Sequence, residues 1–355
     1  MHATRSASSS THPAPSLQER YLQLLATHPQ ARARDAAAEL GISEAELVAL
    51  QGGVRLRPAW GEILQAMPRL GRVMVLTRNE ACVHERHGCF EQVDINGGMG
   101  LVLGPDIDLR LFLRRWAFGF ACTQALPSGL RKSFQFFDAS GQAIHKIYLT
   151  ESCAEALFDE LSEQFREPHQ QAALAIQPVQ RQPADRPDAE IDTAGLVEAW
   201  QNMRDTHDFF GMLARFRVGR QQALRLAGAP LARPAGAESA RQVLETAAAC
   251  GEPIMCFVGN PGCIQIHTGA VQRVERRGPW LNVLDAHFNL HLREDLIAAS
   301  WLVRKPTEDG VVSSLELFDH SGELVVQFFG QRKPGQPERE GWRRLLAGVS
   351  TQVTP

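Results

Sequence analysis

No stretch of this 355-residue chain approaches the roughly 18 consecutive apolar residues of a membrane span. Residues 1–16 are small, polar and proline-bearing, without the apolar core of a secretory signal. They are expected to be disordered, and the chain to be cytoplasmic. An excess of one charge is also missing. Lys and Arg number 37 against 40 Asp and Glu, for a net charge of −3, so no global field draws the chain to nucleic acid or anionic lipid. Cysteines number seven, and Cys82, Cys122 and Cys256 have apolar neighbours, which suits reduced buried thiols and not a disulfide framework. No G-x-G-x-x-G follows a strand-like run, and no Walker loop, G-x-S-x-G or C-x-x-C is present. What remains is ordinary globular composition, 44% hydrophobic, long enough for about two domains.

The informative feature is an internal repeat. Asp138, Ser140 and Gly141 in FFDASGQ stand 181 residues before Asp319, Ser321 and Gly322 in LFDHSGE. The same shift pairs Met74 with Met255, Asn79 with Asn260, Cys82 with Cys263, Gly97 with Gly278 and Leu111 with Leu292. No gap is needed over roughly 75 residues, which indicates a duplicated domain.

Each copy reads as strands. In the first, Arg72–Thr77, Phe90–Ile95, Met99–Leu103, Ile107–Phe112, Trp116–Thr123, Arg131–Asp138 and Ala143–Leu149 are short apolar or alternating runs separated by turn residues, among them Asn79, Gly88 and Gly97. Their close spacing without helical crossovers predicts an antiparallel meander. Asp138 and Asp319 are expected to serve turns, since Asp and Ser bond nearby backbone and Gly accepts positive φ. Helices are expected over Leu17–Ala26, after the capping box Ser43-x-x-Glu46, and over Glu151–Phe165, Gly195–Met203, His207–Phe216, Arg220–Ala227 and residues 337–349. The proline-rich stretch 168–192 reads as a linker. The expected class is α+β: two tandem similar halves, each a large antiparallel sheet flanked by helices, at 17–167 and 193–350.

Candidate chemistry is sparse. Residues 32–50 could form a helix-turn-helix around Gly41, but nothing basic follows to grip phosphate, which argues against DNA binding. His84 and His87 lie three apart in a strand or turn and so point to opposite faces, better read as surface histidines than as a metal pair. His287 and His291 share a strand face without an accompanying acid or cysteine. His207, in RDTHDFFGML, is expected in the first turn of a helix capped by Asp205 or Thr206. There the helix dipole favours the neutral imidazole that ligates metals, and Asp208 opposes it. Alone, such a histidine is more often structural than a ligand.

Trp200, Met203, RDTHDFFGML (204–213), Phe216, Val218, Arg220 and QALRLAG (222–228) resemble the middle segment of the HemS/ChuS/PhuS family. DLRLFLRRWAFGFA (108–121), FNLHLRED (288–295) and FFGQR (328–332) extend the resemblance over about residues 17–348. It implies a cytoplasmic haem-handling protein of two similar halves, with haem b in a cleft between the second half's sheet and its helices. By position, His207 matches the axial iron ligand and Arg110 a distal-side arginine, with Phe112 on the same strand face. Arg220, Lys305 and Arg332 match basic residues near the propionates, and Phe257 and Gln327 match pocket-lining positions. An aromatic hydroxyl near the propionates has no equivalent, because Val326 and Phe329 stand at the candidate positions. His28 and His87 are the nearest candidates for a ligand in the first half. The implied function is haem transport for iron acquisition, with a haem oxygenase as acceptor. The alternative is oxidative opening of the porphyrin with a partner's electrons. No membrane partner is expected.

Overall fold

In a computed structural model, residues 15–29, 31–127, 129–150, 155–179, 184–333 and 335–350 are described. Among the described residues two nine-stranded antiparallel sheets carry helices on their faces. Residues 1–14 of the expected N-terminal tail lie outside the described residues.

The halves exchange strands. The first sheet runs Val54–Arg55, Phe118–Leu126, Gly129–Phe137, Ala143–Leu149, Arg72–Arg78 and Cys82–Cys89, then continues into Phe288–Arg293, Trp280–Leu284 and Val274–Arg277 of the second repeat. The second sheet mirrors it: Ala232–Ala235, Ile297–Thr307, Gly310–Asp319, Leu324–Gly330, Ile254–Asn260 and Cys263–Gly269, then Asp108–Phe112, Met99–Leu103 and Gln92–Asn96 of the first repeat. The joining registers are equivalent under the 181-residue shift: Cys82 faces Leu292 and Val83 faces His291, as Cys263 faces Leu111 and Ile264 faces Arg110.

Repeated residues do the same work twice. Asp138 Oδ1 accepts from the Ser140 amide at 2.8 Å and the Gln142 amide at 3.0 Å, and Asp319 Oδ1 accepts from the Ser321 and Glu323 amides at the same distances. Gly141 and Gly322 hold φ of +76° and +82° in these turns, which favours glycine. The Asn79 amide donates across to the carbonyls of Gly259 and Val325 in the other sheet, and the Asn260 amide returns to Arg78 and Ile144. These reciprocal clamps satisfy backbone groups that the packing of the two sheets would otherwise isolate.

Several expectations need correction. Cys82–Cys89 is one continuous strand, so Gly88 is not a turn residue. A Cβ on Gly88 would meet Asp106 Cβ at 2.4 Å, so a close approach requires the glycine. His84 is buried, not on the surface: Phe288 packs against its ring and Gln265 Nε2 lies 2.7 Å from Nδ1. Helices Trp60–Ala66 and Ser239–Cys250 were not anticipated. In the second, Ala240, Val243, Leu244 and Ala247 face the core with helical spacing. Helices Ala33–Leu40 and Glu44–Leu50 do form on either side of Gly41, but Ala45, Leu47 and Val48 of the second are buried in the core. No helix among the described residues is long and apolar enough to cross a membrane.

His84, His145 and His267 are all buried near the join between the sheets, each with an Nε2 that lacks a partner among the described residues. Burial lowers the pKa of His145 to about 3, and burial followed by the nearby Arg86 guanidinium does the same for His267. Their folded pKa values lie below the unfolded value near 6.5, so the unfolded chain binds more protons between those limits. The stability they confer is complete above about pH 6.5 and is lost as pH falls toward 3. Urea unfolding should therefore show about 2 kcal/mol less stability per histidine at pH 5 than at pH 7, and His145→Gln should shrink that loss. A pH-independent midpoint over this range would contradict the assignment.

Candidate functional site

Directly paired residues of antiparallel strands share a sheet face, as do residues two apart on one strand. In the second sheet Phe257 pairs with Gln327 and Ile266, Gln327 with Glu316, and Ile266 with Asp108. One face therefore carries Lys305, Glu316, Gln327, Phe329, Phe257, Arg110 and Phe112. From the strand of Glu316 to the strand of Arg110 is four strand spacings, about 19 Å. The strand exchange accounts for Arg110 and Phe112: they belong to the first repeat in sequence and to the second sheet in space. Arg110 ion-pairs with Asp108 two residues back. Phe257 and Phe329 meet edge to face at 5.1 Å. Val326 is on the opposite face, fully buried in the core.

Three helices, Thr193–Gln201, Asp208–Phe216 and Arg220–Ala227, cover one end of this face. Leu196, Trp200, Phe209 and Leu224 pack with Val303 and Phe318 of the sheet, and Trp200 Nε1 donates to the Arg304 carbonyl at 3.0 Å. Beyond this anchored end the sheet face continues through Phe329 and Phe257 to Arg110 and Phe112.

His207 is itself the N-cap of helix Asp208–Phe216; the expected caps, Asp205 and Thr206, precede it. Asp205 serves instead as a clamp. Its Oδ1 accepts from the His207 backbone amide at 2.8 Å and lies 2.6 Å from the ring Nδ1. These bonds, backbone first and then ring, together with the nearby Arg332 charge, lower the Asp205 pKa. The ionised carboxylate can only accept, so Nδ1 must carry the proton of the neutral ring and Nε2 is left with a lone pair. The ring is 90% exposed. A fixed tautomer with an outward Nε2 is the arrangement that a carboxylate gives to metal-binding histidines. Phe210, 63% exposed, adds an aromatic face on the same helix.

The basic residues are held from below. Arg220 Nε and Nη2 form a fork on Glu316 at 2.7 and 2.8 Å, and Lys305 Nζ reaches the same carboxylate at 3.1 Å. Ser314 and Gln327 donate to it as well. Lys305 is thus a buried charge. Burial lowers its pKa to about 8 despite Glu316. Burial alone would raise the pKa of Glu316, but Arg220 and Lys305 hold it well below the carboxylate range. Arg220 lies 5.0 and 5.6 Å from the rings of Phe209 and Phe210. Arg332 pairs with Asp309 at 3.0 Å, and its buried Nε has no partner among the described residues. The clamp Asp205, the hub Glu316 and the pairing residue Asp309 were not singled out as site residues. Each is a lone acid in ordinary sequence, and only the fold shows what it holds. His28 is exposed at a helix C-terminus and His87 half-buried in the first sheet. Among the described residues no group of three or more His, Cys, Asp or Glu could hold a metal ion.

A family model, described as the haemin-degrading HemS.ChuX domain, matches residues 41–165 and again 217–349. The chain belongs to this family. It is 43% identical over 336 residues to the hemin transport protein HmuS of Yersinia pestis, covering 94% of this chain and 96% of that one. Among solved structures it resembles holo-PhuS, a heme-binding protein of Pseudomonas aeruginosa, with a TM-score of 0.92, 47% identity and coverage of 94% and 98%. It also resembles ChuS, the heme degrading enzyme of Escherichia coli O157:H7, with a TM-score of 0.88, 38% identity and coverage of 94% and 100%.

The clamp can be tested without ligand. Long-range nitrogen–proton NMR at pH 8 should show His207 as one tautomer, protonated at Nδ1. In Asp205→Ala both tautomers should appear. An unchanged spectrum would remove Asp205 from this role.

Proposed function

We propose that this chain binds haem b in the cleft between the second sheet and the helices 193–227, and passes it on in the cytoplasm as part of iron acquisition. The observation that carries the reading is the His207 ring: exposed, tautomer set by Asp205, Nε2 free. Ferric haem offers the iron that such a donor would ligate. The rest of the cleft fits the same ligand. Phe257, Phe329 and Phe210 supply apolar surface for a porphyrin, and Arg110 a guanidinium on the distal side. Arg220, Lys305 and Arg332 supply charge-assisted partners for carboxylates. The orphaned Nε of Arg332 is a buried donor that an anionic ligand oxygen would satisfy. No tyrosine stands at Val326 or Phe329, so the propionates would lean on the cations alone.

Delivery to a haem oxygenase is the favoured destination. Relatives described as hemin transport or heme-binding are 43% and 47% identical over nearly the whole chain, against 38% for the relative described as degrading heme. The second reading, oxidative opening of the ring, is favoured by that relative and by the family description. In it Arg110 would orient a small molecule bound opposite His207.

Titration of ferric haem into the protein should saturate at one equivalent with a sharp Soret band. His207→Ala should weaken binding by about a hundredfold or more and shift the band, as expected when an iron ligand is lost. Unaltered binding and spectrum in the variant would overturn the site. Incubation of the complex with a reductant and excess catalase should leave the Soret band in place. Its conversion to a biliverdin-type product would replace the carrier reading with the enzymatic one.

A further inference from the structure

Glu316 sits in the middle of a strand and is fully buried, yet five donors converge on its two oxygens. Stability alone is a weak reason for such a cluster, because a buried ion pair often does no better than apolar residues of similar size. Its arithmetic is more informative. Two cations share one carboxylate, so the cluster keeps one uncompensated positive charge beside the rings of Phe209, Phe210 and Phe329. Arg220 commits Nε and Nη2 to Glu316, and no bond from its Nη1 is seen among the described residues. Lys305 uses one of its three protons.

The first half provides an internal comparison. There Glu44 binds Arg78 and Lys146, again two cations on one buried carboxylate. Glu44 is the first residue of the third helix of its trio, the position that Arg220 occupies in the second half. The polarity is inverted. In the first half the helix bears the acid and both cations come from the sheet. In the second half the sheet bears the acid, and the helix bears an arginine that lies between it and the rings of buried Phe209 and exposed Phe210. Both versions pin a helix to a sheet, but the second also presents a guanidinium to whatever enters.

We propose that Glu316 is a positioning and specificity-determining residue, which aims Arg220 and Lys305 so that the cleft accepts a carboxylate-bearing planar ligand in preference to its uncharged analogue. This rests on the haem reading above and deepens it. Glu316 does not touch the ligand. It fixes the guanidinium plane, keeps the buried ammonium protonated, and leaves one positive charge for a ligand carboxylate. Without it Lys305 would face burial beside Arg220 with no counter-ion and would shed its proton more readily.

The test crosses a protein change with a ligand change. Glu316→Gln and wild type are titrated with ferric haem and with its dimethyl ester, whose propionates are neutral. Wild type should bind haem about tenfold or more tightly than the ester, as charge-assisted partners require. Glu316→Gln should lose most of that preference by weakening for haem while changing little for the ester. Haem affinity in the variant should also fall between pH 6 and 8, where wild type holds nearly constant until Lys305 titrates. Glu316→Asp should recover part of the preference, and it serves as the informative variant if thermal melting shows Glu316→Gln unfolded. Equal weakening for haem and ester, or a preference kept intact in a folded variant, would overturn the inference and leave haem binding standing. A wild type that binds neither ligand would instead overturn the haem reading beneath it.

Discussion

The hydrogen bonds between strand Asp108–Phe112 and strand Cys263–Gly269, with their counterparts between Phe288–Arg293 and Cys82–Cys89, are the constraint on which the rest depends. Each half lends three strands to the other's sheet. Without the loan, Cys263–Gly269 would be an exposed edge, and the face bearing Phe257 would end one strand beyond it. With the loan, the face extends to Arg110 and Phe112. The Asn79 and Asn260 clamps then lock one sheet against the other, each side chain using backbone carbonyls of the opposite half.

The duplication explains why the two faces resemble each other in shape and differ in chemistry. At the first-half positions equivalent to the cleft, Leu76 replaces Phe257, Lys146 replaces Gln327, and the lent strand brings His291 and Arg293 for Arg110 and Phe112. The N-cap of the second helix in the trio is Arg32 in place of His207. The guanidiniums of Arg32 and Arg293 lie 4.9 and 5.3 Å from the centre of the Trp280 ring. Cation–aromatic stacking thus occupies the first face where the second keeps phenylalanines and a free imidazole.

Much of the fold was legible because the repeat is gapless. An Asp-x-Ser-Gly turn and an alternating strand at a fixed offset carry their register with them. Strand Cys82–Cys89 was obscured because His84, Glu85, Arg86 and His87 look like a surface turn, although His84 faces the core. The strand exchange was not legible at all. Alternation says which side chains face inward but not which strand lies alongside, and both repeats would satisfy the same pattern unexchanged. The covering helices were legible: those expected at Gly195–Met203, His207–Phe216 and Arg220–Ala227 form at Thr193–Gln201, Asp208–Phe216 and Arg220–Ala227. His207 stood out only through its resemblance to a family, since a lone histidine at a helix start is ordinary. Lys305 and Glu316 gave no local signal: they are eleven residues apart on neighbouring strands, and only the hairpin register makes them an ion pair.

The proposed haem site depends on an exposed imidazole, its tautomer set by Asp205, and on a sheet face to which both repeats contribute strands. The most direct measurement is the crystal structure of the ferric haem complex. It should show the iron bonded to His207 Nε2 while Nδ1 stays on Asp205, the macrocycle lying against Phe257, and Arg110 on the opposite side of the iron. Haem seated elsewhere, or in this cleft with the iron held by another residue, would contradict it.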